Sequence, residues 1–535
     1  MSLVVKYADA PLGAQKSAVI TATSGQPFSQ PETLKNLAAD TPWATLEPFG
    51  WPLDGSRKLI PDTQGDLGWW SRTCSNADGS FDQPPTLAMT FSQTCTAGGI
   101  TLSFCPSLGQ WCSEVQVLWY RGDTLLDQMM TYPDTTEWVL SHTVENFDKV
   151  EIRLLRTNIP GHFAKLRQLQ IGEVWSFAGD ELVSVHMLTE IDPSLCQLSA
   201  DTMTVHIRDR KGYILRPQKD QTIQLYRDGM QIAAHYITDA TRQSQRNYRI
   251  RCQSAIGRLT DTFFGGIYTE YPLPVLLQDV LGEFPFDVDA VFVGRFLSGY
   301  LPICTRREAL QQIAFAVGAV ITTQGDGSIR LVPQPQIISG GFAAGDIFTG
   351  AGLKQESAIG SVTLCAHSYI PSEEEKVLLK EKEIHGETLF LTFGEPYCSY
   401  RLENGTILAS DANWIRLTAD GVVTLTGKPY RHEQITLTRK NPQATAAEKG
   451  NMIKVEKATL IHRGNADETL ERLYRHSLLR SVLSQDVVVN GQYTGQLVES
   501  LSPWGESVVG YITNMESTFT NKSHRASIQI RGKEV

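Results

Sequence analysis

The sequence predicts a mainly β, multidomain protein with α+β parts, and three observations support this. Short runs of alternating apolar and polar residues recur along the chain, a period typical of half-buried strands. Gly, Asp, Asn and Pro separate these runs and indicate turns. The 535 residues exceed what one hydrophobic core accommodates, so we expect several domains.

Composition and charge restrict the class of function. Hydrophobic residues make up 41% of the chain and charged residues 20%, as in ordinary globular proteins. The formal net charge of -10 argues against a main role in binding nucleic acid or an anionic membrane. No secretory signal is evident at the N-terminus, and no apolar run is long enough to predict a transmembrane segment.

The cysteine pattern predicts reduced, structural thiols. Nine cysteines are present, and none forms a Cys-x-x-Cys spacing. This usage is consistent with folding in a cytoplasm. A Cys105–Cys112 pair across a loop is the less favoured alternative.

Residues 1–50 are expected to be an N-terminal arm or extension. Gly, Pro, Ser and Thr recur there, and only residues 19–23 have an extended pattern. That segment lies on a neighbouring subunit or contributes a strand to a later domain.

Residues 51–174 are predicted to form a β-sandwich of the jelly-roll type. Many short strands at close spacing indicate this architecture. The strands are predicted at residues 100–104, 114–120, 137–140 and 149–154.

Residues 175–350 open with a strand block and continue into a helix. Two alternating runs, 222–227 and 230–237, flank Asp228-Gly229, a strong signal for a two-residue hairpin. Thr305 and Glu308 have the spacing of a capping box, which predicts a helix that ends at Gly318. A hairpin over residues 319–332 is predicted to follow.

Residues 351–535 are predicted to contain strands, a second short helix and a terminal hairpin. A small β insertion is expected at about residues 407–437. An apolar stripe predicts the helix at about residues 466–484. The closing hairpin is predicted over residues 507–531.

Two parts of the sequence resemble known families. The jelly-roll resemblance, to discoidin or galactose-binding-type domains, is carried by Gly68-Trp-Trp-Ser71, Ile100-Thr-Leu-Ser-Phe104, Val115-Gln-Val-Leu-Trp-Tyr120, Val144-Glu-Asn-Phe-Asp-Lys-Val150 and Leu169-Gln-Ile-Gly172. Most of residues 175–535 resembles the tail hub and baseplate hub proteins of tailed bacteriophages and prophages. Three segments carry that resemblance: the strand block with Ile256-Gly-Arg-Leu259, Phe263-Phe-Gly-Gly-Ile-Tyr268, and the Pro-Trp-Gly loop at 503–505. It is also carried by the predicted helix followed by a hairpin, which occurs once in residues 175–350 and once in residues 351–535.

The hub resemblance implies a structural function and not an enzyme. It implies a homotrimer with two hub-type β-barrels per subunit, residues 175–350 and 351–535. The expected partners are further copies of the chain, the tail tube, and distal tail or baseplate proteins. The expected location is the virion, at the tail tip or baseplate, after assembly in the host bacterial cytoplasm. The jelly roll is expected to bind a host surface glycan or a neighbouring baseplate protein.

A carbohydrate-active enzyme or adhesin with a β-sandwich binding module is the alternative. Such an enzyme needs paired carboxylates in a cleft. The sequence contains no His-Glu-x-x-His, Gly-x-Ser-x-Gly or Walker motif, so we predict no catalytic residues and no cofactor.

Candidate binding residues lie in the jelly-roll region. Aromatic faces stack on sugar rings, which makes Trp111, in a loop, the best candidate for sugar contact, followed by Trp69 and Trp70. Core packing is the alternative for all three. Three aspartates between turns are weaker candidates for Ca²⁺, although Asx turns explain them equally well: Asp54, Asp62 and Asp66.

Overall fold

The computed structural model describes residues 2–9, 14–38, 40, 43–44, 47, 54–59, 67–192, 194, 197–210, 215, 217–323, 325–348, 350–502, 504–520 and 523–535. In this part of the chain the fold is mainly β, with several sheets and short helices, which confirms the predicted multidomain class. The α-helices are Ala14–Ser17, Leu273–Leu281, Ala290–Val293, Arg306–Val317 and Ala466–Ser477. None of these described helices has the length and apolar character that crossing a membrane requires.

The largest sheet has thirteen strands and joins sequence-distant parts of the chain. Its order is Glu173–Ala178, Leu3–Asp9, Thr222–Arg227, Met230–Arg242, Asn247–Gln253, Thr202–Arg208, Leu182–Glu190, Ser507–Phe519, His524–Glu534, Ser481–Val488 and Gly352–Gln355. The remaining two strands are Leu497–Leu501, which pairs with Ser507–Phe519, and Gly341–Phe342, which pairs with Leu497–Leu501. Two apolar clusters lie on this sheet, one in each half of its strand order.

The predicted hairpin at Asp228-Gly229 is confirmed. Asp228 has a φ of +49° and Gly229 a φ of +82°, so both turn residues adopt the positive φ of a type I′ turn. The turn joins Thr222–Arg227 to Met230–Arg242 in antiparallel register.

Leu3–Asp9 is a strand that the sequence analysis missed, so the expectation that only residues 19–23 are extended was wrong. Leu3, Val5 and Tyr7 are buried, and the residues between them face outward. This alternation places one face of the strand in the core of the large sheet.

Residues 10–172 form an insertion into the large sheet, which we call the inserted lobe. Asp9 is paired with Glu173, and Val4 with Ala178, in antiparallel register. The chain therefore leaves the sheet and re-enters it at neighbouring positions.

The inserted lobe contains a six-stranded sheet and smaller pairs. The main order is Gln168–Ile171, Thr86–Ser103, Glu137–Thr157, Cys112–Arg121 and Thr124–Thr131, and Val19–Ala22 also pairs with Thr86–Ser103. The smaller pairs are Phe163–Leu166 with Trp69–Cys74, and Trp43–Ala44 with Lys58–Leu59. Trp119, Phe104 and Phe147 are among the large side chains buried in the lobe's core.

The middle of the chain packs helices against short strands. The capping box is confirmed: Thr305 accepts from the Glu308 backbone N–H, and Glu308 accepts from the Thr305 N–H. Gly318 ends this helix with a φ of +73°. The short sheets are Thr262–Phe263 with Cys304–Thr305, Gly266–Pro272 with Phe296–Leu301, and Phe286–Val288 with Ile329–Pro333 and Ala319–Thr323.

A further six-stranded sheet is built around one long strand. Trp414–Lys440 pairs along its length with several partners, and Ile384, Ile415 and Leu417 are buried between them. The partners are Lys376–Thr392, Ser361–Pro371, Tyr397–Glu403 and Thr406–Asp411, and Met452–Val455 pairs with Ser361–Pro371.

The predicted helix over 466–484 was too long. The helix is Ala466–Ser477, and Ser481–Val488 is a strand between His524–Glu534 and Gly352–Gln355. Burial alternates along Ser481–Val488, so its period is two and sheet pairing determines its structure.

The cysteines in the described part of the chain are free thiols, Cys105 and Cys112 among them, so the alternative pair does not form. Both are buried, and burial raises the pKa of Cys105 to about 12. Cys196 lies outside the described residues.

The capping box gives a first prediction. Thr305→Ala removes the side-chain oxygen that accepts from Glu308 N at 3.2 Å, so the start of helix Arg306–Val317 should lose about 1 kcal/mol. Amide hydrogen exchange in its first turn should accelerate about fivefold. Thr305→Ser keeps the acceptor and should exchange as the wild type does; equal exchange in all three proteins would contradict the role of the cap.

Candidate functional site

Trp111 lies half-buried in a loop at one end of the inserted lobe. Its backbone N–H donates to Asn158 Oδ1 at 3.0 Å, and Asn158 N–H donates to Trp111 O at 3.0 Å. Asn158 Nδ2 also donates to Gly109 O at 2.9 Å. The loop that carries Trp111 is therefore held to residues 157–161 by one asparagine.

Residues 156–161 also hold a second loop, over residues 76–82. Thr157 N–H donates to Gly79 O at 2.9 Å, and Arg156 Nη1 donates to Asp78 O at 2.6 Å. Asn76 Nδ2 donates to Asp82 Oδ1 at 2.9 Å. The segment 156–161 thus connects two loops, one that carries Trp111 and one that carries Asp78. We call this group of residues the loop surface.

The loop surface contains residue types that can contact a sugar. Trp111 supplies an aromatic ring, and the amides, the carboxylates and the Arg156 guanidinium supply hydrogen-bond donors and acceptors. Hydrogen bonds from the Ser80 side chain and backbone hold the pKa of the Asp78 carboxyl below its usual value, so this carboxyl is ionised at neutral pH.

Trp69 and Trp70 lie in the interior of the lobe, with exposures of 0% and 1%, so neither ring faces solvent. Trp69 packs in the apolar core of the lobe, and Trp70 lies over a buried ion pair. Lys165 Nζ lies 4.8 Å from the Trp70 ring centroid and donates to Glu47 Oε1 and Gln110 Oε1. Burial lowers the pKa of Lys165, and Glu47 opposes that shift.

Asp54 is exposed, and its Oδ1 accepts from the Ser56 N–H at 2.9 Å in an Asx turn. Asp62 and Asp66 lie outside the described residues. Within the part of the chain that is described, no group of three His, Cys, Asp or Glu side chains has the geometry to hold a metal ion. The calcium hypothesis therefore stays a prediction.

A cavity of about 1060 Å³ lies beside the large sheet. Strands Leu182–Glu190, Met230–Arg242 and Ser507–Phe519 form part of its wall, together with the hairpin Ala319–Pro333 and the loop 489–495. His235 and His524 are buried titratable groups in this wall, and the half-buried Asp201 also lines it.

Burial dominates the titration of these three groups. It raises the pKa of Asp201 to about 6, although the Thr323 hydroxyl donates to that carboxylate at 2.6 Å. It lowers the pKa of His235 to about 4, and neither ring nitrogen finds a hydrogen-bond partner among the described residues. It also lowers the pKa of His524 to about 4, an effect that Arg227 strengthens.

The sequence analysis missed Arg156 and Asn158. The turn signal Asn158-Ile-Pro-Gly161 was present, but nothing in it indicates that the asparagine holds a distant loop. It also missed Lys165, because a buried lysine has no local sequence signature.

Comparison with known proteins gives distant likenesses only. No family model matches the sequence, and no curated protein matches it. Solved structures similar to this chain include a 43 kDa tail protein of prophage MuSo2 from Shewanella oneidensis, with 11% identity and a TM-score of 0.41 over 66% of this chain and 95% of that chain. The tail protein from Neisseria meningitidis MC58 has 10% identity and a TM-score of 0.41 over 66% of this chain and 93% of that chain.

A separate likeness is to a carbohydrate-binding module. The family 32 module from C. perfringens NanJ, solved in complex with galactose, has 12% identity and a TM-score of 0.21 over 32% of this chain and 99% of that chain. Tail proteins and a carbohydrate-binding module are thus among the solved structures to which this chain is similar.

The buried ion pair gives a second prediction. Glu47→Leu leaves the Lys165 ammonium buried without its counter-charge, which should destabilise the lobe by about 3–5 kcal/mol. Hydrogen exchange of Trp69–Cys74 and Phe163–Leu166 measures this loss. The double variant Glu47→Leu/Lys165→Met removes both charges and should recover most of the protection.

The matched control is an exposed ion pair. Glu433 lies 2.9 Å from Arg431, with side-chain exposures of 51% and 67%. Glu433→Leu should change stability by less than about 1 kcal/mol. A double variant no more protected than Glu47→Leu would show that charge burial is not the cause.

Proposed function

We propose that this protein is a structural hub of a phage or prophage tail tip or baseplate. The observation that carries the proposal is the large sheet, whose last strand has an open edge. Among the described strands, Gly352–Gln355 pairs only with Ser481–Val488. An unpaired edge offers backbone donors and acceptors to a neighbouring chain.

An exposed apolar group supports a role in assembly. Val291, Val293 and Phe296 are 60%, 55% and 62% exposed and lie within six residues of one another. Asp289 caps the short helix Ala290–Val293 by accepting from the Val291 N–H at 3.1 Å, so the group sits on ordered backbone. Apolar side chains grouped on a surface mark protein interfaces.

The proposed assembly is a homotrimer that closes the tail tube. The hub resemblance implies two similar barrels per subunit, so three subunits place six similar units around one axis. The partners are the tail tube and distal tail or baseplate proteins, and the protein acts in the virion as a non-enzymatic component. It is assembled in the host cytoplasm.

We propose that the inserted lobe binds a host surface glycan through the loop surface. Trp111 favours this ligand, because it is a half-buried tryptophan in a loop held by Asn158, and an aromatic face can stack on a sugar ring. A neighbouring baseplate protein is the other candidate ligand.

The trimer gives a third prediction. Light scattering of the purified chain should give three times the 59.3 kDa chain mass. Phe296→Asp, which places a charge in the exposed apolar group, should lower that mass. Leu408→Asp changes a residue of similar exposure, 51%, outside the group and should leave the mass unchanged. A wild-type mass of one chain at every concentration would contradict the hub proposal.

The loop surface gives a fourth prediction. On a glycan array, Trp111→Ala should lose signal for the glycans that the wild type binds. Its affinity should be at least about tenfold lower, because the indole ring no longer stacks on the sugar ring. Trp111→Phe keeps an aromatic face and should retain part of the binding. Trp504→Ala, which removes a 61%-exposed tryptophan elsewhere in the chain, is the control. Equal binding by Trp111→Ala and the wild type would contradict this site.

A further inference from the structure

The six-stranded sheet of the inserted lobe has one edge that the chain itself caps. The edge strand is Gln168–Ile171. Gln15 Nε2 donates to Leu169 O at 2.8 Å, and Gln15 Oε1 accepts from the Ile171 N–H at 3.0 Å. One side-chain amide thus makes two backbone hydrogen bonds of the kind that a further strand would make with this edge.

The opposite edge, Thr124–Thr131, is exposed and apolar. Leu125, Leu126 and Met129 are 44%, 41% and 36% exposed, and Tyr132 directly after the strand is 63% exposed. Among the described strands, Thr124–Thr131 pairs only with Cys112–Arg121. Proteins usually protect a sheet edge with charges or with covering elements, because a bare apolar edge pairs with other chains.

The carboxylate on this edge is hydrogen-bonded within the lobe. Asp127 is the one charged residue in the sequence of the strand, and its Oδ2 lies 2.8 Å from His142 Nε2. A β-bulge interrupts the ladder next to Leu126, whereas residues 127–131 pair in unbroken register with residues 115–119. The regular part of the edge therefore offers a second strand an extended backbone with Asp127 as its single charged residue.

We propose that Thr124–Thr131 pairs antiparallel with the same strand of a second copy of this chain, about a two-fold axis at Met129. A two-fold axis normal to a sheet places residues of the same face opposite each other, so one residue lies on the axis. Met129 is the central residue of the unbroken stretch 127–131.

Apolar residues face apolar residues in this register. Met129 faces Met129, and Leu126 faces the exposed Tyr132 of the second copy. A register centred on Asp127 would instead place two carboxylates opposite each other, which is destabilising. The pairing joins two six-stranded sheets.

The experiment is analytical ultracentrifugation of the full chain over a wide concentration range. The wild-type mass should double at high concentration. Met129→Lys puts two ammonium groups on the axis and should abolish the doubling. Leu37→Lys makes the same kind of change at a 55%-exposed leucine of the same lobe and should leave the doubling intact. Circular dichroism of both variants checks that they are folded.

A cysteine on the axis tests the register independently of stability. Met129→Cys should form a disulfide-linked pair of chains under mild oxidation, because the axis brings the two thiols together. The wild type and Leu125→Cys should remain unlinked. No doubling in the wild type, doubling in Met129→Lys, loss of doubling in Leu37→Lys, or no cross-link at position 129 would each overturn the proposal.

This inference is independent of the hub function. A hub trimer would pass from three chains to six, whereas a chain that is monomeric at low concentration would pass from one to two. The mass at low concentration tests the hub proposal. The doubling of mass at high concentration, which Met129→Lys should abolish, tests the pairing of the edge strands.

Discussion

The pairing of Leu3–Asp9 with strands on both sides is the constraint on which the rest of the structure depends. This strand lies between Glu173–Ala178 and Thr222–Arg227, so the first residues of the chain occupy an interior position of the large sheet. Leu3, Val5 and Tyr7 bury their side chains in one core, which fixes the register because a shift by one residue would expose all three. The position of the inserted lobe follows from this register.

Two kinds of buried polar group occur in this molecule, an ion pair and a neutral imidazole. Lys165 and Glu47 satisfy each other inside the lobe, where the ion pair and the neighbouring Trp70 ring hold two strands in place. His235 lies among apolar side chains, and burial keeps its imidazole neutral. A paired charge specifies a local arrangement, whereas a neutral imidazole restricts packing less.

Local features of the fold could be predicted from the sequence, and long-range ones could not. The Asp228-Gly229 turn and the Thr305 capping box depend on residues within four positions of one another, so their chemistry is visible in the sequence. The end of the helix at Ser477 was misjudged because tertiary pairing of Ser481–Val488 overrides the apolar spacing. Trp70 and Asn158 take their roles from partners far away in the chain. For the same reason, only the half-buried Trp111 of the candidate site could be assigned to a loop.

The attachment of the inserted lobe has a mechanical consequence. Its two connections leave the large sheet side by side, at Asp9 and Glu173, so a pull on the lobe acts on both strands in the same direction. The bonds between these two strands then carry little of the force. The force instead acts along the ladder between Leu3–Asp9 and Thr222–Arg227, whose hydrogen bonds lie perpendicular to it and resist sliding together. An attachment of this kind withstands tension in shear, where a single terminal tether would be peeled away bond by bond.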